Sequence, residues 1–273
     1  MKFGLNIGPC SRCSRNPDQQ RRRNYGNKMS LPALVLLPPS ERKAPGGEPE
    51  VHRDSFAGLL AMPRDGVREA LRCCLETMTP EQLSRLFGVR GELFERAQRS
   101  MNAIVAGRAE VMPAWRRYTG VVWEHLDPST LKSSARSRIL VPSGLYGMTR
   151  ATDDIADYRL TMHVALPGIG SLGRFWAEPV SEVLSGLRGH PTIVSLLPKE
   201  HARAVVPGSV ASFLEAEFLA VDGKGAAGHA AKAVKGRFAR HLIEHGVDDI
   251  LGFRFDGWKI SRSDNGFNLV APR

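Results

Sequence analysis

Lys43 stands three residues after Ser40 in the stretch Pro38-Pro39-Ser40-Glu41-Arg42-Lys43. An amine at such a position serves as a nucleophile toward carbonyls or as a phosphate ligand, provided that burial or neighbouring cations weaken its hold on a proton. Tyr146, Asp157 and Glu200 are further groups able to move protons, each in a segment with loop signals. With Lys43 and Ser40 they make up the candidate catalytic set. The Tyr146 segment, Ser143-Gly144-Leu145-Tyr146-Gly147, is a turn bracketed by glycines, followed by Arg150 and the acids Asp153, Asp154 and Asp157. Glycine-rich loops can aim backbone N–H groups at phosphate. This one has neither the GxxxxGK[ST] nor the GxGxxG spacing, so a structural turn with Tyr146 packed inside is the even alternative.

Lys232 and Arg240 lie with His229 and Gly236 on one side of a helix expected over residues 227–245. Ala231, Val234, Phe238 and Leu242 occupy the opposite arc, which must face the core. A glycine between cations lets an anion approach closely, whereas the blander reading is a solvated basic face. Metal ligation has little support. His241 and His245 are spaced i, i+4 with Glu244 nearby, but HExxH and paired CxxC motifs are absent, and we expect no metal and no cofactor.

The elements that would position these groups follow from periodicity. Leu34–Leu37 reads as a buried strand stopped by two prolines. Residues 66–78 read as a helix, Thr79-Pro80-Glu81 as the start of a second, and 92–106 as a third. The stretch 86–97 (LFGVRGELFERA) has the outline of a helix-hairpin-helix, with GxxG where that motif has GxG. Further strands are expected at 138–141, 192–197 and 216–221, and a helix at 172–187. Asp264-Asn265-Gly266 signals a closing hairpin. Without a regular βαβ rhythm, the expectation is an α+β fold: one compact domain with a mixed sheet flanked by helices.

The net charge of +10 is unevenly spread. Residues 1–28 hold seven Lys or Arg against Asp18, leaving 31 bases and 27 acids, a net of +4, in residues 29–273. The basic segment 1–28 is expected to be a disordered extension or an upstream-start artefact preceding Met29. It carries a lone Cys10/Cys13 pair; Cys73 and Cys74 are adjacent in a helix, so no disulfide framework is indicated. No apolar run approaches the roughly 20 residues of a membrane span, and no secretory signal is visible. A cytoplasmic location is therefore expected.

Taken in order, these segments resemble the YaaA family of peroxide-stress proteins. The strand followed by PPSERK (34–43) resembles that family's N-terminal strand and its PPSEGK-like loop. Tyr118-Thr119-Gly120 is similar to its YTG, residues 143–147 to its SGLYG, Tyr158-Arg159-Leu160 to its YRL and Phe175-Trp176 to its FW. Lys232 through Arg240 and Leu251-Gly252-Phe253 with Gly257-Trp258 resemble its closing motifs. The chain departs at Ser195-Leu196-Leu197-Pro198-Lys199-Glu200-His201, where the family has an asparagine-containing NLASxEY, and Gly236-Arg237 is shifted relative to the family's Arg-Gly.

The resemblance implies a basic cleft and protection against damage caused by peroxide and intracellular iron. It would unite Lys43, Arg150, Arg159, Lys232, Arg237 and Arg240 as an anion-binding set for double-stranded or distorted DNA, held by a monomer with no membrane partner. Salt-sensitive, sequence-tolerant binding would follow. The alternative is an enzyme acting through Lys43 on a nucleic-acid base, an abasic site or a small phosphorylated molecule. Direct iron or haem binding is a third reading, for which the scattered His and Cys give little.

Overall fold

Three buried residues, Leu34-Val35-Leu36, form the central strand β1 of a seven-stranded sheet (Leu34–Leu36). The other strands are β2 (Ile139–Ser143), β3 (Gly147–Arg150), β4 (Ile193–Ser195), β5 (Phe213–Leu219), β6 (Lys259–Ser263) and β7 (Gly266–Val270). In space they run β6-β7-β5-β4-β1-β2-β3. From β7 to β2 every neighbouring pair is parallel, whereas β6 and β3 are antiparallel edges. The register places Val35 beside both Ile139 and Val194. Strands covered on both faces read as continuous apolar runs, which is why LVL, ILV and IV carry no alternation.

The computed structural model describes residues 33–189, 191–206, 208, 210 and 212–272. The expected extension 1–28, with Cys10 and Cys13, lies outside the described residues, and Pro32–Arg273 forms one compact unit. The α+β expectation holds, with a mixed sheet flanked by helices. Helices α1 (Ala57–Thr77), α2 (Pro80–Phe87), α3 (Glu92–Val105) and α4 (Val121–Leu126) lie between β1 and β2. Helix α5 (Ala177–Ser185) precedes β4, and α6 (Gly228–His245) joins β5 to the closing hairpin. Helix α1 begins nine residues before the expected position. The expected helix 172–187 is divided into Leu172–Phe175 and Ala177–Ser185, with the indole N–H of Trp176 donating to Gly144 O at 2.9 Å. Among the described residues no helix is long and apolar enough to cross a membrane.

Local chemistry fixes several ends. Thr79 caps α2 through a reciprocal box with Gln82, with Pro80 at the first helical position. Gly88 ends α2 at φ 66°, and a short turn leads into α3. The N–H groups of Gly88 and Val89 are used on the Arg85 and Ser84 carbonyls. The 86–97 segment is thus two helices joined by the short turn between Gly88 and Gly91.

Helix α6 corrects the expectation of a single packed arc. Ala231, Val234, Phe238 and Leu242 are buried as expected, but Gly236 is buried too. A Cβ at Gly236 would lie 2.3 Å from Val122 O and 2.9 Å from Leu126 N, so the missing side chain is where α4 crosses α6. The glycine serves close helix packing, not access for an anion.

Candidate functional site

The chain leaving β1 turns at Pro38-Pro39 and folds back across the carboxyl ends of the parallel strands, the usual place for ligands in such sheets. Lys43 pairs with Tyr118 in a β-bridge, and Arg96 donates to the Lys43 carbonyl at 2.8 Å. Gly120 sits against the Ser40 hydroxyl so closely that a Cβ would lie 2.3 Å from its Oγ. The Tyr118-Thr119-Gly120 motif therefore shapes the floor under the Ser40–Lys43 loop.

These constraints turn the Lys43 side chain inward, leaving it only 8% exposed. Its Nζ donates to Ser40 O at 2.8 Å and lies 4.3 Å from the centre of the Tyr158 ring and 5.5 Å from that of Tyr118. Burial lowers its pKa to about 7, with Arg159 pushing the same way and Asp157 and Glu41 opposing. Near neutral pH a large fraction of Lys43 is therefore the free amine.

Aromatic hydroxyls line the other side. Tyr118 and Tyr158 share a hydrogen bond of 2.8 Å between their oxygens. Burial holds the Tyr118 phenol well above its usual range and pushes Tyr158 up to about 12, so both stay neutral beside the amine. Tyr146 packs edge-on against Tyr158 with centroids 5.6 Å apart, and its oxygen accepts the Ala156 N–H at 2.9 Å. Its part is to hold Tyr158 in place.

Asp157 is clamped by two guanidinium groups. Arg96 Nε donates to one oxygen at 2.7 Å and Arg159 approaches the other at 3.1 Å. Arg117, fully buried beneath them, donates to the carbonyls of Ile155, Ala44 and Glu110. The result is a cationic frame around one carboxylate, which resists adding a further proton at Lys43. Arg64 fixes the neighbouring turn by donating to Tyr146 O and Met148 O and pairing with Asp54.

The predicted residues divide sharply. Ser40, Lys43, Asp157 and Arg159 come together, with Tyr146 one layer behind. Arg150 lies on edge strand β3, where it donates to Ser137 O, stacks over Phe56 and gives its backbone N–H to Asp153. Arg240 is tied to Glu244, Leu126 O, Asp127 O and Thr130. Arg237 lies over the Phe255 ring at 6.0 Å, and Lys232 is exposed. Arg150 and Arg240 are thus held on backbone carbonyls, while Lys232 and Arg237 lie on the exposed surface of α6. The spacing of His241 and His245 likewise serves structure, His241 Nε2 meeting Asp249 O at 2.8 Å.

Sequence reasoning named Tyr118, Tyr158 and His201 only as parts of motifs and gave Arg96, Arg117 and Lys235 no role of their own. Beyond β4, Glu200 is exposed while His201 beside it turns inward. Burial drops the imidazole to about 4, opposed by the charge of Glu200 and reinforced by His163 and Lys235; Glu41 also acts on it. Strand β4 runs beside and parallel to β1, so the two strands' exits lie at the same end of the sheet. A separate open groove of about 620 Å³ contains Arg53, Trp115 and Arg136 together with Glu48, Glu50 and Asp154, and does not include Lys43. Its mixed charges and lack of a perturbed nucleophile make the lysine crevice the better candidate despite the groove's size.

Residues 33–264 match the family model described as peroxide stress protein YaaA. The chain belongs to the YaaA family of peroxide stress proteins. A UPF0246 protein of Streptomyces coelicolor is 36% identical over 225 residues, covering 78% of this chain and 84% of the relative. A UPF0246 protein of Corynebacterium efficiens is 31% identical over 218 residues, covering 77% and 84%. YaaA membership supports a role in peroxide stress, and the family match spans the whole frame around Lys43.

Proposed function

We propose that this YaaA family member works on DNA in the cytoplasm, as a monomer, limiting the damage that peroxide and iron cause, and that Lys43 is its nucleophile. The observation carrying this reading is a buried amine, its pKa lowered to about 7, against two neutral tyrosines and beside an arginine-clamped carboxylate. Such an amine attacks carbonyls. Oxidised DNA offers one in the ring-opened sugar of an abasic site. The Lys43 lone pair forms a bond to C1′, and the carbonyl oxygen leaves as water with the two amine hydrogens. The product is an imine that borohydride reduces to a stable secondary amine. In this reading Arg159 would meet a flanking phosphate, and a tyrosine hydroxyl would donate to the departing oxygen.

Incubating the full chain with abasic duplex and borohydride is expected to give a covalent adduct, and Lys43→Arg to give none. An adduct of equal yield in that variant, or none with the wild type, would overturn the assignment.

A second reading, duplex binding without turnover, draws on Lys232 and Arg237, both exposed on α6. Replacing both by alanine is expected to weaken duplex binding similarly for all sequences. The slope of log K against log salt should fall by roughly 0.9 per lost phosphate contact. An unchanged slope in the folded double variant would remove this surface from the interface.

A further inference from the structure

Ala114–Arg117 is a single helical turn whose side chains part in two directions. Arg117 runs inward and donates to Ala44 O, while Ala44 N donates back to Arg117 O at 2.8 Å. Trp115 and Arg116 instead line the open groove of about 620 Å³, as does Pro45, two residues beyond Lys43. The groove and the lysine crevice therefore share the wall made by this turn and the segment that follows Lys43. The groove's volume falls within the roughly 300–1,000 Å³ of small-molecule sites.

Arg136, also in the groove, lies over the Trp115 ring, 4.4 Å from its centre. There its Nε is buried without a hydrogen-bond partner. Among the described residues its guanidinium makes one hydrogen bond, a long one from Nη1 to Pro128 O at 3.4 Å. A guanidinium that forgoes hydrogen bonds to lie on an indole leaves a flat, cationic stack in the groove wall. Arg53 and Arg116 line the groove as well, both exposed, and among the described residues neither pairs with a carboxylate. Glu48 and Glu50 are exposed there too, without an ion pair among the described residues. The Asp154 carboxylate is occupied by the backbone N–H groups of His52 and Arg53, at 2.9 and 3.0 Å.

The groove thus offers a flat face, guanidinium donors and carboxylate acceptors. Inorganic phosphate uses only the donors and is repelled by the acceptors. A peptide meets both signs of charge but uses the stack only through an aromatic side chain. A nucleotide uses all three in one unit: the base stacks, the phosphate meets the guanidiniums, and base N–H groups donate to carboxylates.

We propose that this groove binds one unstacked nucleotide, its base extending the Trp115–Arg136 stack, its phosphate held by Arg53 and Arg116, and its base N–H groups donating to Glu48 or Glu50. The inference rests on the DNA reading above for the source of that nucleotide, a strand end or a base displaced beside a lesion, and not on the amine chemistry. It gives the protein a second contact with distorted DNA, separated from Lys43 only by the shared wall.

Trp115 reports on its own site. Of the four tryptophans, Trp123, Trp176 and Trp258 are buried and Trp115 is half-buried. Titrating the full chain with deoxyadenosine monophosphate is expected to quench its emission to saturation. Deoxyribose 5-phosphate, which has no base, is expected to bind at least fivefold more weakly, the low end of one base–aromatic stack. Trp115→Ala is expected to remove the quench and at least fivefold of the affinity read by calorimetry, with circular dichroism confirming that it is folded. Arg53→Ala with Arg116→Ala, both at exposed positions, is expected to bring the monophosphate down to the affinity of deoxyadenosine. A strand of four deoxyadenylates that quenches at equal or higher affinity assigns the nucleotide to DNA, whereas weaker binding than the monophosphate would overturn DNA as its source. Equal affinity for the monophosphate and deoxyribose 5-phosphate, a quench that survives Trp115→Ala, no binding of either nucleotide probe, or quenching by the tripeptide Lys-Phe-Glu but not by the monophosphate would sink the proposal. Adduct formation at Lys43 on the same wild-type preparation separates the two readings. An adduct without a quench removes the groove alone, and a quench without an adduct supports the groove while removing the amine chemistry.

Discussion

Lys43→Met is expected to stabilise the protein at pH 6 by on the order of 4 kcal/mol, with the advantage shrinking steadily toward pH 10. The sign follows from proton counting. Unfolded, Lys43 binds its proton up to the ordinary lysine value of 10.5, whereas folded it releases it at about 7. Between those values the unfolded chain holds more protons, so this group's contribution to stability rises with pH. Below pH 7 the full cost of burying the ammonium is borne, and above about 10 there is none. Methionine keeps a comparable volume between the Tyr118 and Tyr158 rings and carries no charge. Urea denaturation of both proteins at several pH values, read as the difference between them, isolates Lys43 from the other titrating groups. Parallel curves would mean that the amine is solvated and protonated, which would also undermine its role as a nucleophile. The same substitution abolishes the borohydride adduct, so a protein that is more stable yet inert would be the signature of a residue retained for chemistry.

Gly236→Ala should destabilise by about 2 kcal/mol or more, although alanine is the better helix former by about 1 kcal/mol. The added methyl group has no room: it would meet Val122 O at 2.3 Å, His125 Cβ at 2.8 Å and Leu126 N at 2.9 Å. Two of these are backbone atoms of α4 and cannot rotate away, so the helices must separate. Interiors packed at crystal density transmit such a shift rather than absorb it. A variant as stable as the wild type in urea would show that α4 yields easily, and that crowding at the helix crossing does not explain glycine at this position.

Much of the architecture was legible because local rules governed it. The apolar run at 34–37, the capped start of α2, the period of α6 and the Asp264-Asn265 turn each depend on residues near one another in sequence. The turn is confirmed by the pairing of Ser263 with Gly266. The parallel centre of the sheet was not legible. Short buried strands lack alternation, and their crossovers are interrupted by one-turn helices that blur the βαβ rhythm. Helix α6 shows the same limit at one residue. Its period identified the buried arc, but whether the opposite side met water or α4 depended on a crossing that no local pattern encodes.

The candidate site divides in the same way. Sequence alone picked out Lys43 and Ser40 by residue type, and the ordered motifs at 118–120, 143–147 and 158–160 by resemblance; the family match over 33–264 agrees with the latter. It could not show that Lys43 is buried, that its amine lies over Tyr158, or that Arg96 and Arg159 clamp Asp157 from either side. Nor could it separate Arg150 and Arg240, which satisfy backbone carbonyls, from Lys232 and Arg237, which are exposed. The physical reason is that acidity and binding depend on solvent exclusion and on charges brought together from distant parts of the chain. Residue type supplies the functional group. Only the tertiary structure decides whether that group is a solvated ion, a strut or a reagent.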